Sequence, residues 1–135
     1  MPEKNRSLLD SFAMLAFLNK ESGFERVKSL LREAERSRVP LLMNEINVGE
    51  VYYVTAKDRS LEQAEVFSRH LDMLPLQAVG NSFDDILEAP RLKARFPISY
   101  ADAFAIATVN RMNAVVVTGD PEFRRAEHLV TIDWL

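Results

Sequence analysis

Short apolar runs alternate with longer amphipathic stretches along almost the whole chain. Ser7-Leu8-Leu9, Pro40-Leu41-Leu42-Met43, Leu76-Gln77-Ala78-Val79, Ala114-Val115-Val116-Val117 and Leu129-Val130-Thr131-Ile132 read as strands. The fourth is the clearest, being wholly apolar and β-branched over three residues. Phe12 to Leu18 reads as an apolar helix, and Gly23 separates it from the next. Val27, Leu30, Leu31 and Ala34 recur at helical spacing with Lys28, Arg32, Glu33 and Arg36 opposite, which predicts a helix over 24–37. Leu61, Ala64, Phe67, Leu71 and Leu74 form a second such stripe, opened by Ser60 with Glu62 and Gln63 at capping-box spacing. Asn44, Ser82 and Ser99 stand where N-caps belong. They predict helices to about Lys57, to about Leu92 and over Tyr100–Met112, with Pro97 breaking the chain before the last. Gly119-Asp120-Pro121 ends the fourth strand and starts a short helix. This alternation predicts a single α/β domain over 1–135, a three-layer sandwich with a parallel sheet of five strands and helices on both faces.

Composition narrows the chemistry. The chain has no cysteine, so disulfides and thiolate metal sites are excluded. Its formal net charge of −3 means that any contact with nucleic acid must use a local basic patch. There is no apolar run of the ~18 residues that a membrane span needs. The polar start, Met1 to Arg6, lacks the pattern of a leader peptide. A cytoplasmic protein with no membrane partner is the expectation.

The informative residues are acidic. Asp10 follows the first strand, and Asp120 follows the fourth. Glu50 lies in the second turn of the helix after strand two, and Asp102 in the first turn of the helix capped by Ser99. In open α/β sheets, ligands bind outside the carboxyl ends of the strands, where all these positions should converge. Like charges about 4 Å apart repel by roughly 4 kcal/mol at an effective dielectric near 20. Without a cation, that repulsion should hold some of these carboxyls well above their usual pKa. Hard oxygen donors suit Mg²⁺ or Mn²⁺. Any one of these acids also has an ordinary reading as a turn or cap residue, and Asp120 before Pro121 most of all. The case rests on the set.

That set carries a resemblance. Leu9-Asp10-Ser11-Phe12, Asn47-Val48-Gly49-Glu50-Val51-Tyr52-Tyr53, Ser99-Tyr100-Ala101-Asp102-Ala103-Phe104-Ala105-Ile106-Ala107 and Thr118-Gly119-Asp120-Pro121-Glu122-Phe123 resemble, in order, the four motifs of the PIN-domain family. The size and the second motif are similar to the VapC toxins of toxin–antitoxin pairs. The resemblance implies a PIN-like fold and a Mg²⁺- or Mn²⁺-dependent endoribonuclease acting on RNA. It also implies inhibition by a cognate antitoxin and assembly as a homodimer. Carried over, the catalytic and metal-holding set is Asp10, Glu50, Asp102 and Asp120. The alternative is a catalytically silent PIN-like module that binds RNA or protein. A haloacid-dehalogenase type of phosphohydrolase is disfavoured, because Phe12 stands where its second Asp belongs.

Other residues have two readings each. Ser11 and Thr118 can hold a ligand oxygen or make strand-end hydrogen bonds. Asn47 shares a helical face with Glu50 and can orient it or contact a coordinated water. Arg91, Lys93 and Arg95, and separately Arg124 and Arg125, can bind RNA phosphates or be solvated helix ends. Tyr52 and Tyr53 can stack on a base; otherwise one belongs to the core and the other to an interface. Trp134 reads as an anchor for the C-terminus.

Overall fold

Apolar strands buried on both faces need a layer on each side, and the computed structural model supplies them for residues 6–135. The polar start that argues against a leader lies outside the described residues, save Arg6. The strands are β1 (Ser7–Leu9), β2 (Leu41–Asn44), β3 (Leu76–Val79), β4 (Val115–Thr118) and β5 (Ile132–Trp134). The helices are α1 (Ser11–Leu18), α2 (Phe24–Ser37), α3 (Glu45–Asp58), α4 (Leu61–His70), α5 (Phe83–Arg95) and α6 (Tyr100–Met112). Two 3-10 segments, Leu71–Met73 and Pro121–Ala126, complete the described elements.

The sheet is parallel throughout, in the order β3-β2-β1-β4-β5. Each central strand feeds two cores by alternation. Leu8, Leu42 and Val116 pack with α5 and α6, whereas Leu9, Met43 and Val117 pack with α1 to α4. The predicted α/β sandwich with helices on both faces is therefore the fold.

The helix starts follow the capping logic. Asn44, Ser60, Ser82 and Ser99 each accept a backbone N–H in the first turn of α3, α4, α5 and α6. Three readings need correction. The final strand is Ile132–Trp134, not Leu129–Ile132. Leu129 and Val130 are apolar because they pack on the α5/α6 core from a loop, and the edge strand needs only alternate burial. Leu61, placed on the buried stripe of α4, is 63% exposed, since it is the first residue of that helix and faces away. Helix α5 continues to Arg95, through Pro90, rather than ending near Leu92.

Candidate metal centre at the carboxyl edge

The strand order reverses direction at β1, which lies between β2 and β4. This is the switch point where a crevice opens at the carboxyl edge. Leu9 and Val117 are in register, so the next residues, Asp10 and Thr118, lie side by side. Asp10 is almost fully buried. Its carboxylate accepts the N–H of Ala13 at 2.8 Å, capping α1, and takes a hydrogen bond from the Thr118 hydroxyl. Burial nevertheless outweighs these bonds and pushes its pKa up to about 7.

Asp102 reaches the same edge from α6. Its N–H donates to Ser99 Oγ at 3.1 Å. Its pKa also rises to about 7, first because it is buried, and then through Asp120, Glu50 and Glu122. Repulsion is thus the smaller cause of both shifts, whereas the sequence pointed to it as the main one. Asp120 is half-buried and accepts Glu122 N at 2.9 Å, so its role as a cap is real. It still contributes charge to the site, because its N–H is held by Thr118 Oγ1 at 3.0 Å beside Asp10.

Carboxylate oxygens of Asp102, Asp120 and Glu122 lie within 4.8 Å of one another. The charges of Asp102 and Asp120 add to the rise at Asp10, and that of Glu50, on α3, to the rise at Asp102. Two of the predicted acids, Asp102 and Asp120, are thus brought together with the unforeseen Glu122, and the charges of Asp10 and Glu50 are felt there. Glu122 stood within the fourth motif, but an acid in the first turn of a helix looks the same when it only favours the helix dipole.

The polar residues around the acids are structural partners. Asn47 is fully buried, and its Nδ2 donates to Ser11 Oγ at 3.2 Å and to Ala101 O at 3.1 Å. It ties α3 to the residue after Asp10 and to the residue before Asp102. Its Oδ1 is buried without a hydrogen-bond partner among the described residues. Gly119 makes room for Phe12: a Cβ there would come within 2.5 Å of the ring.

One residue from each basic run, Lys93 and Arg125, reaches the same turn. Arg125 Nη1 donates to Pro97 O at 3.1 Å, and Lys93 Nζ donates to Ile98 O at 3.0 Å, both on the turn leading to Asp102. Arg95 lies over the Phe96 ring, Arg91 reaches Glu88 at 3.6 Å, and Arg124 lies over Trp134. Neither Tyr52 nor Tyr53 is core: Tyr52 hydrogen-bonds Glu65 and Tyr53 is 62% exposed. An apolar recess of about 420 Å³, lined by Phe17, Thr55, Val66, Phe67 and Met73 among others, contains none of the acids.

An all-oxygen donor set, partly buried and with the pKa values of Asp10 and Asp102 raised, fits a hard divalent cation. No helix among the described residues is long and apolar enough to cross a membrane.

The fold has solved counterparts. DNA-bound VapBC from Salmonella typhimurium is 17% identical, with a TM-score of 0.70, covering 96% of this chain and 98% of that one. VapC20 from Mycobacterium tuberculosis, described as a sarcin–ricin loop cleaving toxin, is 16% identical, with a TM-score of 0.72, covering 89% and 94%. VapBC2 from Rickettsia felis, bound to a promoter fragment, is 14% identical, with a TM-score of 0.70, covering 96% and 98%. No curated protein matches the chain. The family model of the PIN domain, however, matches residues 7–129, which takes in every acid described above, and the chain belongs to the PIN-domain family.

Proposed function

We propose that this chain is a divalent-cation-dependent endoribonuclease that hydrolyses RNA phosphodiester bonds and serves as the toxin of a type II toxin–antitoxin pair. The observation that carries this reading is the meeting of the Asp102, Asp120 and Glu122 carboxylates within 4.8 Å, beside β1 and β4 and within reach of the charges of Asp10 and Glu50. Family membership supports nuclease chemistry. The VapBC complexes that share the fold support a cognate antitoxin, and the RNA-cleaving VapC20 supports an RNA substrate. Homodimer formation and a cytoplasmic location belong to the same proposal.

Asp102, Asp120 and Glu122 would hold Mg²⁺ or Mn²⁺, with Asp10 and Glu50 completing the charge around it. When bound, the cation orients the phosphodiester, lowers the pKa of the attacking water and stabilises the leaving oxygen. The remaining work falls to the chain itself. The Ala13 N–H and the Thr118 hydroxyl hold the Asp10 carboxylate in one orientation. Asn47 keeps the starts of α1, α3 and α6 in fixed relation, which keeps Asp10, Glu50 and Asp102 in fixed relation. Arg91, Lys93, Arg95, Arg124 and Arg125 offset the acidic field and give a phosphate backbone something to grip.

Asp10→Asn and Asp102→Asn each keep the acceptor and the shape while removing the charge. Both variants should fold normally and lose cleavage of RNA. Full activity in both, at verified purity, would overturn the assignment.

A further inference from the structure

Trp134 does not behave as an anchor. It is 37% exposed although it is the largest side chain in the protein. Its position follows from sheet register. Trp134 pairs with Thr118 across β4 and β5. Registered residues on parallel strands share a face. Two residues earlier, Val116 and Ile132 both pack in the α5/α6 core. Trp134 and Thr118 therefore face the layer that carries Asp102. Thr118 is the residue whose hydroxyl bonds the Asp10 carboxylate and accepts the Asp120 N–H. The exposed indole thus stands one strand away from the residue that links two of the acids.

A cation is held against this ring. The Arg124 guanidinium lies 5.3 Å from the ring centroid. Arg124 belongs to the 3-10 helix that Asp120 caps and that carries Glu122. Among the described residues, no other aromatic ring stacks on the indole.

We propose that Arg124 and Trp134 form a nucleobase subsite beside the acidic centre, which stacks one unpaired base of a single-stranded RNA next to the bond to be cut. The proposal rests on the ribonuclease reading for its substrate. Every base has a π-face, so stacking on indole tolerates sequence but requires a base that is free of its helix. The guanidinium supplies a donor for the base edge or the adjoining phosphate. A phosphate site alone would need only the arginine; the exposed indole is the feature that asks for a base.

Trp134 is the only tryptophan, so intrinsic fluorescence reports on this position alone. In EDTA, a single-stranded RNA oligonucleotide should quench it saturably. The same sequence as a duplex, and an abasic ribose-phosphate strand, should not. Single-strand affinity, followed by anisotropy of a labelled oligonucleotide, should fall about tenfold or more in Trp134→Ala and recover largely in Trp134→Phe. With Mn²⁺, Trp134→Ala should raise KM and leave kcat within about threefold. Absence of quenching, equal quenching by duplex or abasic strand, or unchanged affinity in Trp134→Ala overturns the subsite. These measurements need no cation. Cleavage by the wild type without quenching sinks the subsite alone, and quenching without cleavage sinks the ribonuclease reading alone.

Discussion

Helices α5 and α6 begin alike and diverge within one turn. Each opens with a serine N-cap, Ser82 or Ser99, and each has an aspartate three residues on, Asp85 or Asp102. Both serines accept the aspartate N–H, at 3.2 Å and 3.1 Å. In α5 the carboxylate turns back to Ser82 N at 2.9 Å and closes a full capping box. It also pairs with Arg111 at 3.2 Å, and the Ser82 N–H above all holds its pKa below the usual carboxylate range. In α6 no return bond to the Ser99 N–H is made among the described residues; the Ser99 side chain bonds the carboxylate instead. Asp102 is buried, faces other acids and has its pKa raised to about 7. The same local signal thus produces one acid closed into a cap and one held in the acidic cluster. What separates them is burial and charge: Asp85 is closed into a capping box beside Arg111, whereas Asp102 is buried among acids, and that depends on which layer lies above it. Helix α6 is buried from Ala101 to Val109 between the sheet and α5, whereas α5 buries only Ala89.

The sharpest way to break this comparison is catalysis. Asp102→Asn should reduce RNA cleavage by about 10³-fold or more, if cation-dependent stabilisation is worth several kcal/mol. Asp85→Asn should leave cleavage within about twofold, since it touches no reacting group. Equal losses in the two variants, measured by single-turnover cleavage, would erase the distinction.

Cation binding comes next. Saturating Mn²⁺ at about a hundred times Kd should stabilise the wild type and Asp85→Asn by about 2.7 kcal/mol, and Asp102→Asn far less. Thermal melts with and without Mn²⁺ measure the difference.

The smallest effect is on stability against pH without cation. Native Asp10 and Asp102 keep their protons up to about 7, against 3.8 for the ordinary group. Between those limits the native state binds more protons than the unfolded chain, so stability falls as pH rises through the window and levels off above it. Asp85 acts with the opposite sign: its lowered pKa adds stability above its unfolded value, which is lost on acidification. Denaturant titrations should show a shallower decline from about pH 4 to 7 in Asp102→Asn, whose native state lacks one of the two excess protons. A steeper decline in that variant would mean that the carboxyl is stabilised by the fold as a charged cap.

Much of this was legible in the chain. The Ser and Asn caps mark helix starts because their side chains satisfy backbone donors locally, and the Val115-Val116-Val117 run can only be a buried strand. The acids were legible because strand ends and helix starts share one edge in a parallel sheet. Burial and register were less so. Nothing local distinguishes Asp85 from Asp102, because the difference is made by α5 covering α6. Leu129 and Val130 look like strand because apolar loop residues that pack on a core share the composition of strands. Trp134 looks like an anchor until β5 is shifted to Ile132–Trp134, which turns it toward the active edge. Glu122 needed the actual path of the chain after Pro121.

The reversal of strand order at β1 also has a consequence in time. Asp10 and Glu50 leave the ribosome early, but Asp102 and β4, with the carboxylates that follow it, belong to the last third of the chain. A growing polypeptide can pair β1 with β2, and β2 with β3, and still hold no complete set of acids. On the ribonuclease proposal, the nascent chain should be inactive toward RNA until its synthesis is almost done.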